Sequence, residues 1–145
     1  MFSIAHGCPL LRVLDMSCCS SITDKGIDVL LSKCVDMREF SVPECNIKGW
    51  GFRHGKFLEK LTAIECCISD AGLVEVLQGA TCLRMLDLSH NQGSLRLSSI
   101  GECCRELESL NLTWSSTLDD VALETIAEGC TNLRVLNVSW CHYHS

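Results

Sequence analysis

Cysteine and histidine are the residue types in this sequence that could do chemistry. The chain of 145 residues has 12 cysteines and 5 histidines, and three of these side chains fall together in the tail Cys141-His142-Tyr143-His144. Thiolate and imidazole are common zinc ligands, but a zinc site needs four ligands, and no Cys-x-x-Cys pair stands elsewhere in the sequence. A frayed chain terminus is the alternative interpretation of the tail. We favour it and expect no metal and no cofactor.

Nucleophilic catalysis would need a cysteine or serine beside a base and an orienting group. His90 follows Ser89 and lies close to Asp87 in the sequence, although a solvated polar loop explains this cluster as well. The sequence contains no Gly-x-Ser-x-Gly elbow, no Walker loop and no His-Glu-x-x-His motif. We therefore expect that the chain is not an enzyme.

Charge and hydropathy argue against several classes of partner. The sequence has 12 Lys and Arg against 18 Asp and Glu, a net charge of −6, and it contains no block of like charges. This balance argues against nucleic acid and anionic membranes as the main partners. The first residues lack a secretory signal, and no apolar run is long enough to cross a bilayer. Three pairs of cysteines are adjacent in sequence, where unstrained bridges within the pair are difficult. We expect a reduced, intracellular protein, cytoplasmic or nuclear.

An apolar triad with the spacing Leu-x-x-Leu-x-Leu recurs along the whole chain. The first members of successive triads lie 21 to 26 residues apart, inside the window of roughly 20–29 residues that is typical of leucine-rich repeats. The triads are Leu11/Leu14/Met16, Met37/Phe40/Val42, Leu58/Leu61/Ala63, Leu83/Leu86/Leu88, Leu107/Leu110/Leu112 and Leu133/Leu136/Val138. Each triad predicts a short strand whose alternate side chains enter a core.

Two further columns repeat with the triad when its first member is counted as position 0. Position −3 holds a small residue throughout, namely Cys8, Cys34, Gly55, Ala80, Cys104 and Cys130. Position +8 holds Cys19, Cys45, Cys66, Asn91, Ser115 and Cys141. Since a column that recurs once per repeat has a packing cause, we interpret its cysteines as small buried side chains at tight turns rather than as ligands or nucleophiles.

Helical segments follow the triads in several repeats. Thr23, Ser69 and Asp119 stand where an N-cap is expected, with acidic residues in the first turn and apolar residues at helical spacing behind them. Such a helix would return the chain to the next strand, and stacked units of this kind bury a continuous core. The predicted fold is therefore of the α/β class: a leucine-rich-repeat solenoid, or horseshoe, with a parallel concave sheet and helices on the convex side.

The stretch from Cys8 to Gly26 resembles the cysteine-containing leucine-rich repeats of the F-box/leucine-rich-repeat protein family. It follows almost whole the pattern Cys-x-x-Leu-x-x-Leu-x-Leu-x-x-Cys and then Ile-Thr-Asp-x-Gly. The resemblance implies a domain that binds the protein substrate of an SCF-type ubiquitin ligase in ubiquitin-dependent degradation. It places the Skp-type adaptor and the cullin on a separate F-box, which we do not find in this sequence. A leucine-rich-repeat interaction scaffold without a ligase link is the alternative.

Two repeats depart from the pattern. Repeat two is about five residues short, and its segment from Lys48 to Gly55, which follows the strand and turn, contains three glycines; both features predict a loop in place of a full helix. Repeat four has Asn91 where other repeats have cysteine, so its turn chemistry differs. Neither end of the sequence carries a polar capping repeat. We therefore expect residues 1–145, a single domain of about six strands, to be a piece of a longer solenoid.

The concave face of such a solenoid is the candidate surface for holding a protein substrate. Positions +2, +4 and +6 point away from the core, and position +7 lies just beyond each strand. Short polar residues at +4 could hydrogen-bond a partner, and the indoles of Trp114 and Trp140 at +7 could form a hot spot. The alternatives are a merely solvated face and indoles that cover the solenoid edge. The predicted protein-binding residues are Asp15, Ser41, Thr62, Met85, Asp87, Ser89, His90, Asn111, Trp114, Asn137 and Trp140.

Overall fold

A computed structural model describes residues 1–141, and in it every triad contributes a strand to one parallel sheet. The strands are β1 (Val13–Asp15), β2 (Glu39–Ser41), β3 (Lys60–Thr62), β4 (Met85–Asp87), β5 (Ser109–Asn111) and β6 (Val135–Asn137). They lie side by side in sequence order, and equivalent positions of neighbouring repeats are paired, as Leu61 with Leu86. Each column of the sequence therefore becomes a row of side chains across the sheet.

Helices return the chain from one strand to the next. They are α1 (Phe2–Gly7), α2 (Asp24–Lys33), α3 (Asp70–Gly79), α4 (Ser98–Cys103) and α5 (Asp120–Gly129). The predicted N-caps are confirmed: Thr23, Ser69 and Asp119 each accept the backbone N–H three residues ahead, at 3.2, 3.0 and 2.8 Å. Helix α4, which the sequence did not signal, has Leu97 as its N-cap residue and no side-chain hydrogen bond there.

The core lies between the sheet and the helices and is built from the triads. In repeats two to five every triad residue is buried, and Leu58, Leu107 and Leu110 have no exposed surface. In the outer repeats the same positions are less covered, because those strands have a neighbour on one side only within the described chain. Leu14 is half-buried, and Leu136 is 42% exposed.

The structure confirms that repeat two lacks a full helix, but the segment is not an unstructured loop. It contains a single 3-10 turn, Trp50–Phe52. The buried carboxylate of Asp24 accepts the backbone N–H groups of Lys48, Gly49 and Gly51 at 2.7, 2.8 and 3.2 Å. Gly49 has φ 102°, a left-handed conformation that suits glycine. One acidic side chain of repeat one thus supplies hydrogen bonds to the start of this segment, where the first N–H groups have no internal acceptor.

The cysteine column at position +8 has a more specific role than filling space. The thiols of Cys45, Cys66 and Cys141 donate to backbone carbonyls at position +5 of the preceding repeat, at 3.4, 3.1 and 3.1 Å. In repeat four the amide of Asn91 makes the equivalent bond, to Ala63 O at 2.6 Å. In repeats two, three, four and six the column therefore ties the turn to the repeat before it, whereas the buried hydroxyl of Ser115 in repeat five makes no hydrogen bond within the described residues.

The column at position −3 marks helix ends. Cys8, Cys34, Ala80, Cys104 and Cys130 are the C-cap residues of α1 to α5. The prediction that these cysteines are buried is wrong for Cys8, which is exposed because no helix packs on the outer side of α1 within the described residues.

All twelve cysteines, which fall within residues 1–141, are free thiols. Burial raises the pKa of Cys66 to about 11 and that of Cys104 to about 12. Because the thiolate is the reactive form, these buried side chains are unsuited to nucleophilic chemistry at neutral pH.

Candidate functional site

The open face of the sheet brings the predicted binding residues at position +4 together. A shallow concavity of about 240 Å³ spans β3 to β6 and is lined by Thr62, Met85, Asp87, Asn111 and Asn137. A second concavity, of about 160 Å³, lies over β1 to β3 and is lined by residues that include Asp15, Ser41 and Thr62. Seven of the eleven predicted residues therefore line one continuous sheet face.

Four of the six polar residues at +4 are already engaged with their neighbours at +6. Asp87 accepts the backbone N–H of Ser89 at 2.9 Å and its hydroxyl at 2.7 Å, while its second carboxylate oxygen accepts the amide of Asn111 at 3.0 Å. Asn111 bonds Thr113 in the same way, and Asn137 bonds Ser139. These side chains close the turns after β4, β5 and β6, so only part of their hydrogen-bonding capacity remains for a partner.

Ser89 is a correction to the predicted site. It was expected to be accessible on the concave face, but it is only 4% exposed and its hydroxyl donates a hydrogen bond to Asp87. The turn draws the short side chain back against the strand. At the edge strand β1, where Ser17 bonds Asp15 in the same manner, both residues stay exposed, and these hydrogen bonds hold the pKa of the Asp15 carboxyl below its usual value.

Position +7 has the same unusual backbone in every repeat. All of its residues are in the left-handed region, with φ between 52° and 64°, although none is glycine. The N–H groups of the first five donate to the carbonyl at position +6 of the next repeat, as His90 N does to Thr113 O at 2.8 Å. The side chains therefore stand in register at the carboxyl ends of the strands. We call this row the carboxyl rim; it consists of Cys18, Glu44, Glu65, His90, Trp114 and Trp140.

Three aromatic rings stack along the carboxyl rim. The rings of Trp114 and Trp140 are 5.5 Å apart between centroids and tilted by only 8°, and His90 stacks on Trp114 at 6.0 Å. Trp114 remains 45% exposed and Trp140 64% exposed. The sequence placed the two indoles in neighbouring repeats, and the structure adds His90 as a third member of the stack.

The arrangement around His90 does not form a nucleophilic site. The hydroxyl of Ser89 is bonded to Asp87 and not to the imidazole, whose ring faces Trp114. Within residues 1–141, no group of three or more His, Cys, Asp or Glu side chains is placed to hold a metal ion. The tail candidate depends on His142 and His144, which lie outside the described residues.

The opposite ends of the strands form a second row at position +1, which we call the amino rim; it consists of Arg12, Arg38, Glu59, Arg84, Glu108 and Arg134. Here opposite charges pair across repeats. Arg38 bonds Glu59 at 3.1 Å, and Arg84 bonds Glu108 at 3.0 Å. None of these residues was among the predicted binding residues, although the signs of charge that alternate from Arg38 to Arg134 at one register position were a usable signal.

Glu44 and Glu65, which precede His90 on the carboxyl rim, were also not among the predicted binding residues. Both are exposed, and no ion pair involves either of them within residues 1–141. In the same part of the chain, no helix has the length and apolar character needed to cross a lipid bilayer.

The fold has clear relatives. Residues 7–31 and 129–142 match a family model described as leucine-rich repeat. An internalin from Listeria monocytogenes has 21% sequence identity over 93% of this chain with a TM-score of 0.67, and this chain spans 43% of that one. The C-terminal domain of a Caenorhabditis elegans tropomodulin has 11% identity over 90% of this chain and 88% of its own, with a TM-score of 0.62. No curated protein matches the sequence significantly. The described chain therefore has the leucine-rich-repeat solenoid fold.

Proposed function

We propose that this chain recognises another protein with its concave sheet face and its carboxyl rim. The observation that carries the proposal is that the two surfaces lie on the same strands. The concavity over β3 to β6 reaches Asn111 and Asn137, the last residues of β5 and β6, and the stacked, about half-exposed indoles of Trp114 and Trp140 follow three residues later. Large aromatic side chains beside a polar face are typical of binding hot spots. A solenoid sheet offers such a surface without a deep pocket.

The ligase role is the more specific form of this proposal. The chain would hold a protein substrate for ubiquitination, and an F-box elsewhere in the full protein would bind the Skp-type adaptor and the cullin. The support is the resemblance of Cys8 to Gly26 to the repeats of F-box/leucine-rich-repeat proteins. An interaction scaffold without ligase partners is the alternative, and it would use the same face.

Co-purification from cells with the tagged full-length protein tests both the recognition of a protein by the concave face and the ligase role. Met85→Arg places a large charge in the concavity, at a residue that is 46% exposed. Val121→Arg is the matched control, since Val121 is 65% exposed on α5, which lies on the convex side. We expect Met85→Arg to lose a bound protein that Val121→Arg retains, while both variants still recover the adaptor and cullin.

The outcomes separate the hypotheses. Loss of the bound protein without any recovery of adaptor from the wild type supports the scaffold and rejects the ligase role. If Met85→Arg and Val121→Arg retain the same proteins, the concave face is not the recognition surface and the proposed function fails.

A further inference from the structure

We propose that the carboxyl rim binds an extended, arginine-bearing segment of a partner protein. The inference rests on the proposed function and names the chemistry of the partner. Two halves of the rim carry it: the carboxylates of Glu44 and Glu65, and the ring stack of His90, Trp114 and Trp140.

The charge of this edge favours a cationic partner. Glu44 and Glu65 stand next to each other in neighbouring repeats, exposed and without a basic partner in residues 1–141. Across positions +2, +4 and +7 the sequence has a single Lys or Arg, Lys60, and it already lies 3.9 Å from Glu39. A guanidinium placed at the rim would relieve the repulsion between two adjacent carboxylates, and it can bond a carboxylate with two N–H groups.

The ring stack favours arginine over other cations. Tryptophan is the strongest cation–π acceptor among side chains, and the planar guanidinium can also stack on an indole face. The molecule already uses this contact elsewhere: Arg38 lies over the ring of Phe57, 5.2 Å from its centroid. At the rim, the indoles of Trp114 and Trp140 are 45% and 64% exposed within residues 1–141, which leaves aromatic surface for the same kind of contact.

The spacing of the rim sets the length of the bound segment. Parallel strands are about 4.8 Å apart, so Glu65 and Trp140, three strands apart in the sheet, are separated by about 14 Å. An extended chain covers that distance in about four residues. Two arginines two to four positions apart could therefore reach a carboxylate and the ring stack together.

A single-stranded nucleic acid is the rival occupant, because bases also stack on exposed aromatic rings. Such ligands require a basic groove that follows the phosphates. Glu44 and Glu65 instead make this edge negatively charged, and the chain carries a net charge of −6. The charge of the carboxyl rim therefore favours a basic peptide over a nucleic acid.

The test is calorimetric titration of the protein with defined probes. One peptide alternates arginine with serine over about ten residues, which is longer than the rim when extended. A second peptide replaces arginine with glutamine, and an oligothymidylate serves as the nucleic-acid probe. We expect the arginine peptide to bind about tenfold more tightly than the glutamine peptide, since several exposed ion-pair and cation–π contacts act together. Its affinity should fall as salt is raised.

Matched variants place the binding on the rim. Trp140→Ala and the double variant Glu44→Gln/Glu65→Gln should each weaken the arginine peptide by about three- to tenfold. The controls are Trp50→Ala and Glu128→Gln, which change exposed residues of the 3-10 turn and of α5. Neither control should alter the affinity, and circular dichroism verifies that all variants are folded.

Equal affinity for the arginine and glutamine peptides overturns the inference, and so does preferential binding of the oligothymidylate. Loss of affinity in the controls but not in the rim variants overturns it as well. A partner that Met85→Arg releases in the co-purification, and that the rim variants still hold, would reject the arginine site while leaving protein recognition by the concave face in place.

Discussion

At the amino rim Arg84 is bonded to Glu108, whereas at the carboxyl rim Glu44 and Glu65 stand side by side with no basic partner in residues 1–141. Both rims are built on the same strands and in the same register. What differs is the order of residue types along the row. From Arg38 to Glu108 the signs alternate and neighbouring repeats form ion pairs, whereas Glu44 and Glu65 carry the same charge and cannot pair with each other. The carboxylates of Glu44 and Glu65 therefore remain available to another molecule.

The largest effect on stability is expected when a core side chain is removed from the sheet that joins the two rims. Leu110 is fully buried in β5, so Leu110→Ala leaves a cavity and should lower the free energy of unfolding by about 2–5 kcal/mol. Leu10→Ala, at a residue that is 86% exposed, should change it by less than about 0.5 kcal/mol. Urea unfolding measures both. Similar midpoints for the two variants would contradict the placement of the core.

Thiol labelling compares a cysteine behind the carboxyl rim with its exposed neighbour in sequence. Burial raises the pKa of Cys66 to about 11, which lowers its thiolate fraction near pH 8 by about a hundredfold relative to an ordinary thiol. Cys67 is exposed. With iodoacetamide, followed by peptide mass spectrometry, we expect Cys67 to react first and Cys66 to be protected until the pH approaches its pKa or the protein unfolds. Equal rates in the native protein would show that the turn is open.

Asp24 tests the irregular second repeat. Asp24→Ala removes a carboxylate that accepts three backbone N–H groups, and it should lower the free energy of unfolding by about 1–3 kcal/mol. Asp120 holds the same first-turn position in α5 but is exposed. Asp120→Ala should cost about 0.3–1 kcal/mol through the helix dipole alone. Denaturation in urea separates the two, and an equal loss would mean that the buried bonds of Asp24 contribute little.

The smallest effect is expected from the ion pairs that distinguish the rims. Glu108→Gln removes the negative charge from the ion pair with Arg84, which joins two partly exposed side chains, and should change the free energy of unfolding by at most about 0.5 kcal/mol. Glu65→Gln removes a charge with no basic partner in the described chain and should cost nothing. Differential scanning calorimetry compares their melting temperatures. A larger loss from Glu65→Gln would indicate that the carboxyl rim serves stability and not binding.

The repeat pattern predicted most of the fold because its signals are local. The triads fixed the strands and their register, and the hydroxyl of Thr23 and the carboxylate of Asp119 marked helix starts by hydrogen bonds within one turn. Helix α4 escaped prediction because Leu97 offers no capping oxygen. The 3-10 turn of repeat two depends on Asp24 from another repeat, which no local pattern reveals.

The positions of the candidate residues on the sheet were predictable, but their contacts were not. The columns placed Asp87 on the open face of the sheet, because the side chains of a strand alternate, and placed Trp114 just beyond β5. Burial of Ser89 and the stacking of His90 on Trp114 follow from the left-handed conformation of the residue at +7. This conformation could not be predicted from the sequence because the residue at +7 is never glycine. The ion pairs of the amino rim could be predicted only once the register between neighbouring strands was known.

Mapping the titration of the protein with the alternating arginine–serine peptide by amide NMR tests most directly which surface binds. We predict that the largest shift changes follow the carboxyl rim, at Glu44, Glu65, His90, Trp114 and Trp140, with smaller changes at Asp87 and Asn111 on the adjoining sheet face. Changes centred on Arg38 and Arg84 at the amino rim, or spread over the convex helices, would contradict the assignment.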